Sequence, residues 1–159
     1  MREAEPKLHF DVSTGLKRVL GRELITDDEV AIFELVKNSF DAGADTVHVH
    51  FGKDRIVVVD NGSGMSYDDL TQKWLFVAYS SKRTERPEDD FRNVAAGQRH
   101  FAGSKGIGRF SSDRLGKQVL VQSRAKGKDR QVHQLTVDWD RFETNDREHF
   151  EAVPVVYAA

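Results

Sequence analysis

Apolar residues recur at helical spacing at Leu16, Val19 and Leu20, with Gly15 and Gly21 interrupting, which predicts one short helix with loose ends within residues 7–24. Thr26 and Glu29 have the spacing of a capping box. No Gly or Pro then occurs before Gly43, so a longer helix is expected over 28–42. The segment TVHVHF (46–51) alternates, with Val47, Val49 and Phe51 on one face and Thr46, His48 and His50 on the other. GKDR turns the chain into IVVVD (56–60), a continuous apolar run of the kind found in a central strand.

NGSGM (61–65) reads as a loop, and Ser66 with Asp69 opens a further helix carrying Leu70, Trp74, Leu75 and Val77. Residues 78–108 are polar and Gly-spotted, too long for a simple connection, which predicts a lid or binding loop. A short helix is expected over 109–115, then strands near 118–123 and 131–139 across an AKGKDR turn. The last ten residues, FEAVPVVYAA, form another strand-like run. No repeat, heptad run or low-complexity tract interrupts this order.

The chain has 159 residues, enough for one hydrophobic core without metal or disulfide staples. With no Cys it can hold neither a disulfide nor a thiolate site, and a reducing cytoplasm is the expected home. No apolar run approaches bilayer length, and MREAEPKLHF lacks the apolar core of a signal peptide. A net charge of -2 gives the chain as a whole no electrostatic reason to seek nucleic acid or an acidic membrane.

Three features carry chemistry. At about 100° per residue, Glu34, Asn38 and Asp41 fall within an arc of about 60° on the second helix. They form a polar stripe among Ala31, Ile32, Phe33, Leu35, Val36 and Phe40, so the helix is expected to be largely buried with its stripe facing a cleft; a solvated face is the alternative. An Asn carbonyl oxygen suits Mg²⁺, and a Glu one turn away can take a proton from water. The second feature is Asp60, which ends a strand and precedes Gly62 and Gly64. A carboxylate there can accept from an exocyclic amine beside backbone that a flat ring can approach, although DNGSG is equally a good turn sequence. The third is GSKGIG (103–108), which leads into a helix: its N–H groups and Lys105 could cradle phosphate, or the segment could be a plain loop. Its spacing matches neither a Walker loop nor a Rossmann fingerprint.

Together, ELVKNSFDAGA (34–44), DNGSGM (60–65), YSSK (79–82) and GSKGIGRF (103–110) resemble the ATP-binding domain of the gyrase B, heat-shock-ninety chaperone, histidine kinase, MutL and MORC superfamily, most closely its heat-shock-ninety and MORC-like bacterial branch. The resemblance covers about half the chain in the family's order. It implies the Bergerat fold, an α/β two-layer sandwich with a mixed sheet, helices on one face and a lid loop. By the resemblance Glu34 is the general base, Asn38 the Mg²⁺ ligand and Asp41 a helper near the nucleotide. Asp60 would bind the adenine amine, Gly62 and Gly64 line the base pocket, and Met65 pack on the ring. Ser81 and Lys82 would sit at the lid hinge or the phosphates, and Lys105, Gly106, Ile107 and Gly108 would cradle the phosphates. Ser104 stands where related sequences often have an acid.

The implied activity is slow hydrolysis of Mg-ATP to ADP and phosphate, with lid closure driving a conformational change or ATP-dependent homodimerisation of a larger protein. A protein client or nucleic acid could be the further partner. The competing classes are a non-hydrolysing nucleotide-binding regulatory module and a histidine kinase catalytic domain; Glu34 argues against the latter, which generally lacks a Glu one turn before the Asn. Relatives continue into a further strand and a transducer region, so the chain reads as one ATP module, 1–159, of a longer protein.

Other candidates have simpler readings. His48 and His50 share a strand face but have no third ligand at a suggestive spacing. Lys82, Arg83, Lys105, Arg109 and Arg114 read as a phosphate-serving patch and a solvated helix rather than a nucleic-acid surface. His100 and His133 are isolated, and Trp74 and Trp139 read as core aromatics.

Overall fold

The computed structural model describes residues 11–77, 108–127, 131–145 and 147–159. Helix α1 (Leu16–Arg18) runs straight into a π-helical turn, Val19–Glu23, so the expected short helix is one helical stretch whose second half is widened. Helix α2 spans Asp28–Asp41. Its cap is Asp27, whose carboxylate accepts from the Val30 amide at 2.8 Å, and not the expected Thr26–Glu29 box. An aspartate satisfies the exposed amide and also places negative charge at the helix N-terminus, and the Thr26 hydroxyl instead donates to Asp27 at 3.2 Å. Gly43, with φ +74°, ends the helix.

Strands β1 (Val47–Phe51) and β2 (Ile56–Asp60) pair antiparallel, Val47 facing Asp60 and Phe51 facing Ile56. The reading of 56–60 as a central strand is corrected: among the described residues β2 pairs with β1 alone, and Val57 and Val59 are exposed. A short apolar run reports affinity for strand structure but does not say which edges are covered. Helix α3 (Tyr67–Asp69) follows, opened by the expected capping box: Ser66 Oγ accepts from the Asp69 amide and the Asp69 carboxylate accepts from the Ser66 amide. It continues as a π-helical turn, Leu70–Trp74.

After a 3₁₀ turn at Gly108–Phe110, helix α4 (Ser111–Leu115) leads into strand β3 (Gln118–Ser123). Strand β4 (His133–Asp138) pairs antiparallel with β3 and with β5 (Val156–Ala158). β4 shows the cleanest alternation: His133, Leu135 and Val137 are buried while Gln134, Thr136 and Asp138 are half-buried. The strand expected over 131–139 is shorter because Trp139 begins a 3₁₀ turn, Trp139–Glu143, capped by the Asp138 carboxylate.

The helices and two antiparallel sheets give the expected α/β architecture. Leu20, Phe110, Val137, Trp139, Phe142 and Val153 form the buried core, with Trp74 packed against it, so both tryptophans are core aromatics. The core joins the π-helical turn after α1, the 3₁₀ turn before α4, β4 and the 3₁₀ turn after it. Helix α2 is less buried than its composition suggests. Ala31 and Ser39 are its fully buried positions, whereas Phe33 is 62% and Phe40 42% exposed. The expected apolar collar is therefore open on one side.

Candidate functional site

Helix α2 carries the polar stripe past two neighbours. At the first, Glu34 Oε2 lies 3.2 Å, and the Asn38 carboxamide atoms 3.6 Å, from the point where a side chain on Gly108 would begin. A Cβ there would press on the Glu34 carboxylate and touch the Asn38 carboxamide, so glycine leaves the most space beside both groups. Glu34 Oε1 meanwhile accepts from Lys37 Nζ at 2.6 Å. The base-like carboxylate thus has one oxygen engaged and the other turned toward the backbone that opens the 108–115 helical stretch.

Five residues, or about 7–8 Å of helix rise, further along, α2 meets the end of β2. Ser39 Oγ, buried, donates to Asp60 Oδ2 at 2.9 Å, and Asp60 Oδ1 accepts from the Gly62 amide at 2.8 Å. A carboxylate offers about four lone-pair directions, so Asp60, oriented by these two donors, retains acceptor capacity at the exposed strand end. Ser39 was not a sequence candidate. Its signal was a small hydroxyl residue next to Asn38 on the inner side of an amphipathic helix, which reads as ordinary packing until the partner carboxylate is known.

The loop after Asp60 is stitched on both sides. The Ser63 amide donates to the Ala42 carbonyl at 2.8 Å, and the Lys126 amide to the Ser63 carbonyl at 2.8 Å. Asn61 Oδ1 accepts from the amides of Asp45 and Thr46 at 2.9 and 3.1 Å. A Cβ on Gly62 would fall 2.9 Å from atoms of Ala42 and Asp60, and Gly64 has φ +68° with the Arg124 carbonyl against it. Both glycines are required by close backbone approach. The amide of Met65, half-buried, donates to Ser123 Oγ at 2.8 Å, which fixes the loop to the end of β3.

Among the expected site residues, Glu34, Asn38 and Gly108 come together, and Asp60 joins Gly62 at the far end of the same helix. Gly64 and Met65 lie against the end of β3, and Asp41 is half-buried in the last turn of α2. Ser81, Lys82, Lys105, Gly106 and Ile107, with the lid expected over 78–108, lie outside the described residues apart from Gly108. Of the basic patch, Arg109 is half-buried: it donates to the Lys73 carbonyl at 2.6 Å and lies 5.9 Å over the Trp74 ring. Loss of hydration pulls it down to about 10, so it stays charged at neutral pH. Arg114 pairs with Asp28 at 3.1 Å.

Charge also concentrates elsewhere. Lys17, with no exposure, lies 2.6 Å from both Asp113 Oδ1 and Glu143 Oε1, and Arg22 is 3.1 Å from Glu143. Burial pushes the Asp113 carboxyl up despite its cationic neighbours, and neither of its oxygens has a well-aligned hydrogen bond. The hydrogen bond from Lys17 holds Glu143 below its ordinary value. Lys17, Arg22 and Glu143 line a cleft of about 270 Å³ that contains none of the expected site residues. Lys17 and Arg22 are paired with carboxylates there, whereas Glu34 and Asp60 keep unengaged oxygen capacity. His133, which sequence left without a role, is buried and hydrogen-bonded to the Tyr157 hydroxyl at 2.8 Å. Among the described residues no group of three His, Cys, Asp or Glu side chains could hold a metal ion, His48 and His50 included.

Residues 25–156 match the model of the histidine kinase-, DNA gyrase B-, and HSP90-like ATPase family, and the chain belongs to that family. It is 39% identical over 82 residues to the DNA mismatch repair protein MutL of Pseudothermotoga lettingae, covering 50% of this chain and 14% of that protein. It is 30% identical over 145 residues to the chaperone protein HtpG of Ehrlichia canis, covering 76% of this chain and 22% of HtpG. A third relative, named as a candidate type II restriction enzyme, HgiDII, of Herpetosiphon aurantiacus, is 39% identical over 75 residues, 47% of this chain and 11% of that protein. The chain therefore spans between about a tenth and a quarter of the length of these relatives. No helix among the described residues is long and apolar enough to cross a membrane.

Proposed function

We propose that this chain binds ATP along α2, with the base at the Asp60–Met65 loop and the phosphates at Glu34, Asn38 and Gly108, and that it hydrolyses ATP to ADP and phosphate. The observation that carries the reading is the convergence of Glu34 Oε2 and the Asn38 carboxamide on the Gly108 backbone, with Asp60 held on the same helix through Ser39.

Asp60 accepts from the adenine amine, since two donors already fix its carboxylate plane. Gly62, Gly64 and Met65 line the base, and Asp41 acts from the last turn of α2. Ser81, Lys82, Lys105, Gly106, Ile107 and Gly108 attend the phosphates, and closure of the 78–108 lid drives a conformational change or homodimerisation of the larger protein. Membership of an ATPase family supports the nucleotide and the reaction class. The relatives' names span mismatch repair, restriction and chaperoning, so the proposal concerns nucleotide chemistry and not the work coupled to it.

The donor set at Asn38 fits a hard cation: a neutral carboxamide oxygen beside a carboxylate. Asn38 Oδ1 would hold Mg²⁺, with phosphate oxygens and water as its other ligands. When bound, the ion supplies charge neutralisation for the phosphate chain. Glu34 Oε2 takes a proton from water as the water oxygen bonds to the γ-phosphorus. The bond from that phosphorus to the bridging oxygen breaks, ADP departs with the electron pair, and the proton passes from Glu34 to solvent.

The test is ATP binding and turnover of wild type and Glu34→Ala. The expected result is unchanged binding with turnover reduced by about 100-fold or more, the scale of a lost general base. Equal turnover in the two proteins overturns the assignment of Glu34. Binding without hydrolysis by wild type, in the full natural chain, establishes the regulatory-module reading instead.

A further inference from the structure

Lys37 is ion-paired with the proposed base, and the nucleotide reading leaves it without a role. It lies one turn after Glu34 on α2, its ammonium 2.6 Å from Glu34 Oε1 and 5.7 Å from the centre of the Phe33 ring. Both partners of the pair are mostly shielded, with side-chain exposures of 21% for Lys37 and 25% for Glu34. The Phe33 ring is itself 62% exposed and stands on the solvent side of α2.

The two carboxylate oxygens are consequently not equivalent. Oε1 is engaged by the ammonium, and Oε2 lies toward Gly108 beside Asn38. A glutamate side chain has three rotatable bonds, and without a fixed partner its carboxylate samples several orientations of similar energy. A charge-assisted hydrogen bond on one oxygen removes most of that freedom and leaves the other oxygen in a defined direction. Helical i,i+3 ion pairs add little to fold stability, so this pair matters for aim more than for folding.

We infer that Lys37 is a positioning residue for hydrolysis: it holds Glu34 Oε1 so that Oε2 faces the water attacking the γ-phosphate. This rests on the reading of Glu34 as the base. Lys37 acts through Glu34 Oε1, so its removal is expected to alter the rate of the chemical step and not the binding of ATP. Proton abstraction is sensitive to placement of the base at the ångström level, and the expected loss is about tenfold in kcat.

The experiment compares steady-state ATP turnover of wild type, Lys37→Met, Lys37→Arg and Glu34→Ala in the full natural chain, with thermal midpoints for all four. Lys37→Met retains the aliphatic stem and removes the charge. The expected result is about a tenfold lower kcat with KM and thermal midpoint unchanged, and recovery of most of the rate in Lys37→Arg. A Lys37→Met kcat equal to or above wild type, a change in KM alone, or a loss accompanied by a lowered midpoint overturns the inference while Glu34→Ala remains inactive. Wild-type turnover by Glu34→Ala, or none by wild type, overturns the underlying reading of the base.

Discussion

The Ser39 hydroxyl donates to Asp60 Oδ2 at 2.9 Å, tying the inner face of α2 to the end of β2. Ser39→Ala removes one of the two donors that orient this carboxylate and leaves the Gly62 amide to hold it. ATP affinity is expected to fall about tenfold, and stability by about 1 kcal/mol, the net worth of one such hydrogen bond. Calorimetric titration and thermal denaturation read both; unchanged affinity means that Asp60 needs no support from α2.

The glycines predict unequal costs. Gly43, with φ +74°, has nothing near its missing Cβ, so Gly43→Ala carries backbone strain alone, about 1 kcal/mol. Gly64, with φ +68°, has the Arg124 carbonyl where a Cβ would stand, and Gly64→Ala should lose more than about 2 kcal/mol and displace the loop from β3. Denaturant unfolding of the two variants ranks them directly, and equal losses contradict the close approach.

Lys17 joins α1 to Asp113 on α4 and to Glu143 on the 3₁₀ turn, with no exposure of its own or of the Asp113 side chain. Lys17→Met leaves the buried Asp113 carboxylate with only the more distant Arg22, 3.8 Å away, and is expected to destabilise the fold by about 3 kcal/mol. Adding Asp113→Leu removes the stranded charge and should recover part of that loss. If the double variant is no more stable than the single one, the penalty lies in packing and not in the unpaired charge.

Acid should act visibly at Asp69. The hydrogen bond from Lys73 Nζ at 2.5 Å, with those from the Ser66 hydroxyl and amide, holds its carboxyl down to about 2 from 3.8. A depressed acid stabilises the fold above its unfolded value, and that contribution disappears as pH falls from 3.8 through about 2. Carboxyl NMR should show Asp69 titrating at about 2, with Lys73→Met moving the midpoint upward. A wild-type midpoint near 3.8 contradicts the capping geometry.

Much of this arrangement was legible in the residue order. α2, both hairpin strands, the Ser66–Asp69 box and β3–β4 announce themselves because residue pattern and chain breakers are local properties, although the spacing of Thr26 and Glu29 points to a cap at Thr26 and the cap of α2 is Asp27. The pairing of β2 and the exposure of Phe33 and Phe40 were not legible, since an apolar residue records that it can be covered and not what covers it. In the site, the stripe of Glu34, Asn38 and Asp41 follows from helix geometry. Ser39 and Lys37 were missed because their importance lies in partners, Asp60 in one case and a single oxygen of Glu34 in the other.

The most direct measurement is the affinity of wild type and Asp60→Asn for ATP, by calorimetric titration. An asparagine keeps the size of the side chain but removes its charge and replaces one acceptor oxygen with a donor amide NH2. Asp60→Asn is expected to remain folded and to lose about 100-fold or more in affinity, the scale of a hydrogen-bond acceptor turned into a donor facing a donor on the ligand. Equal affinity in the two proteins would contradict the placement of the adenine at Asp60 and, with it, the nucleotide site.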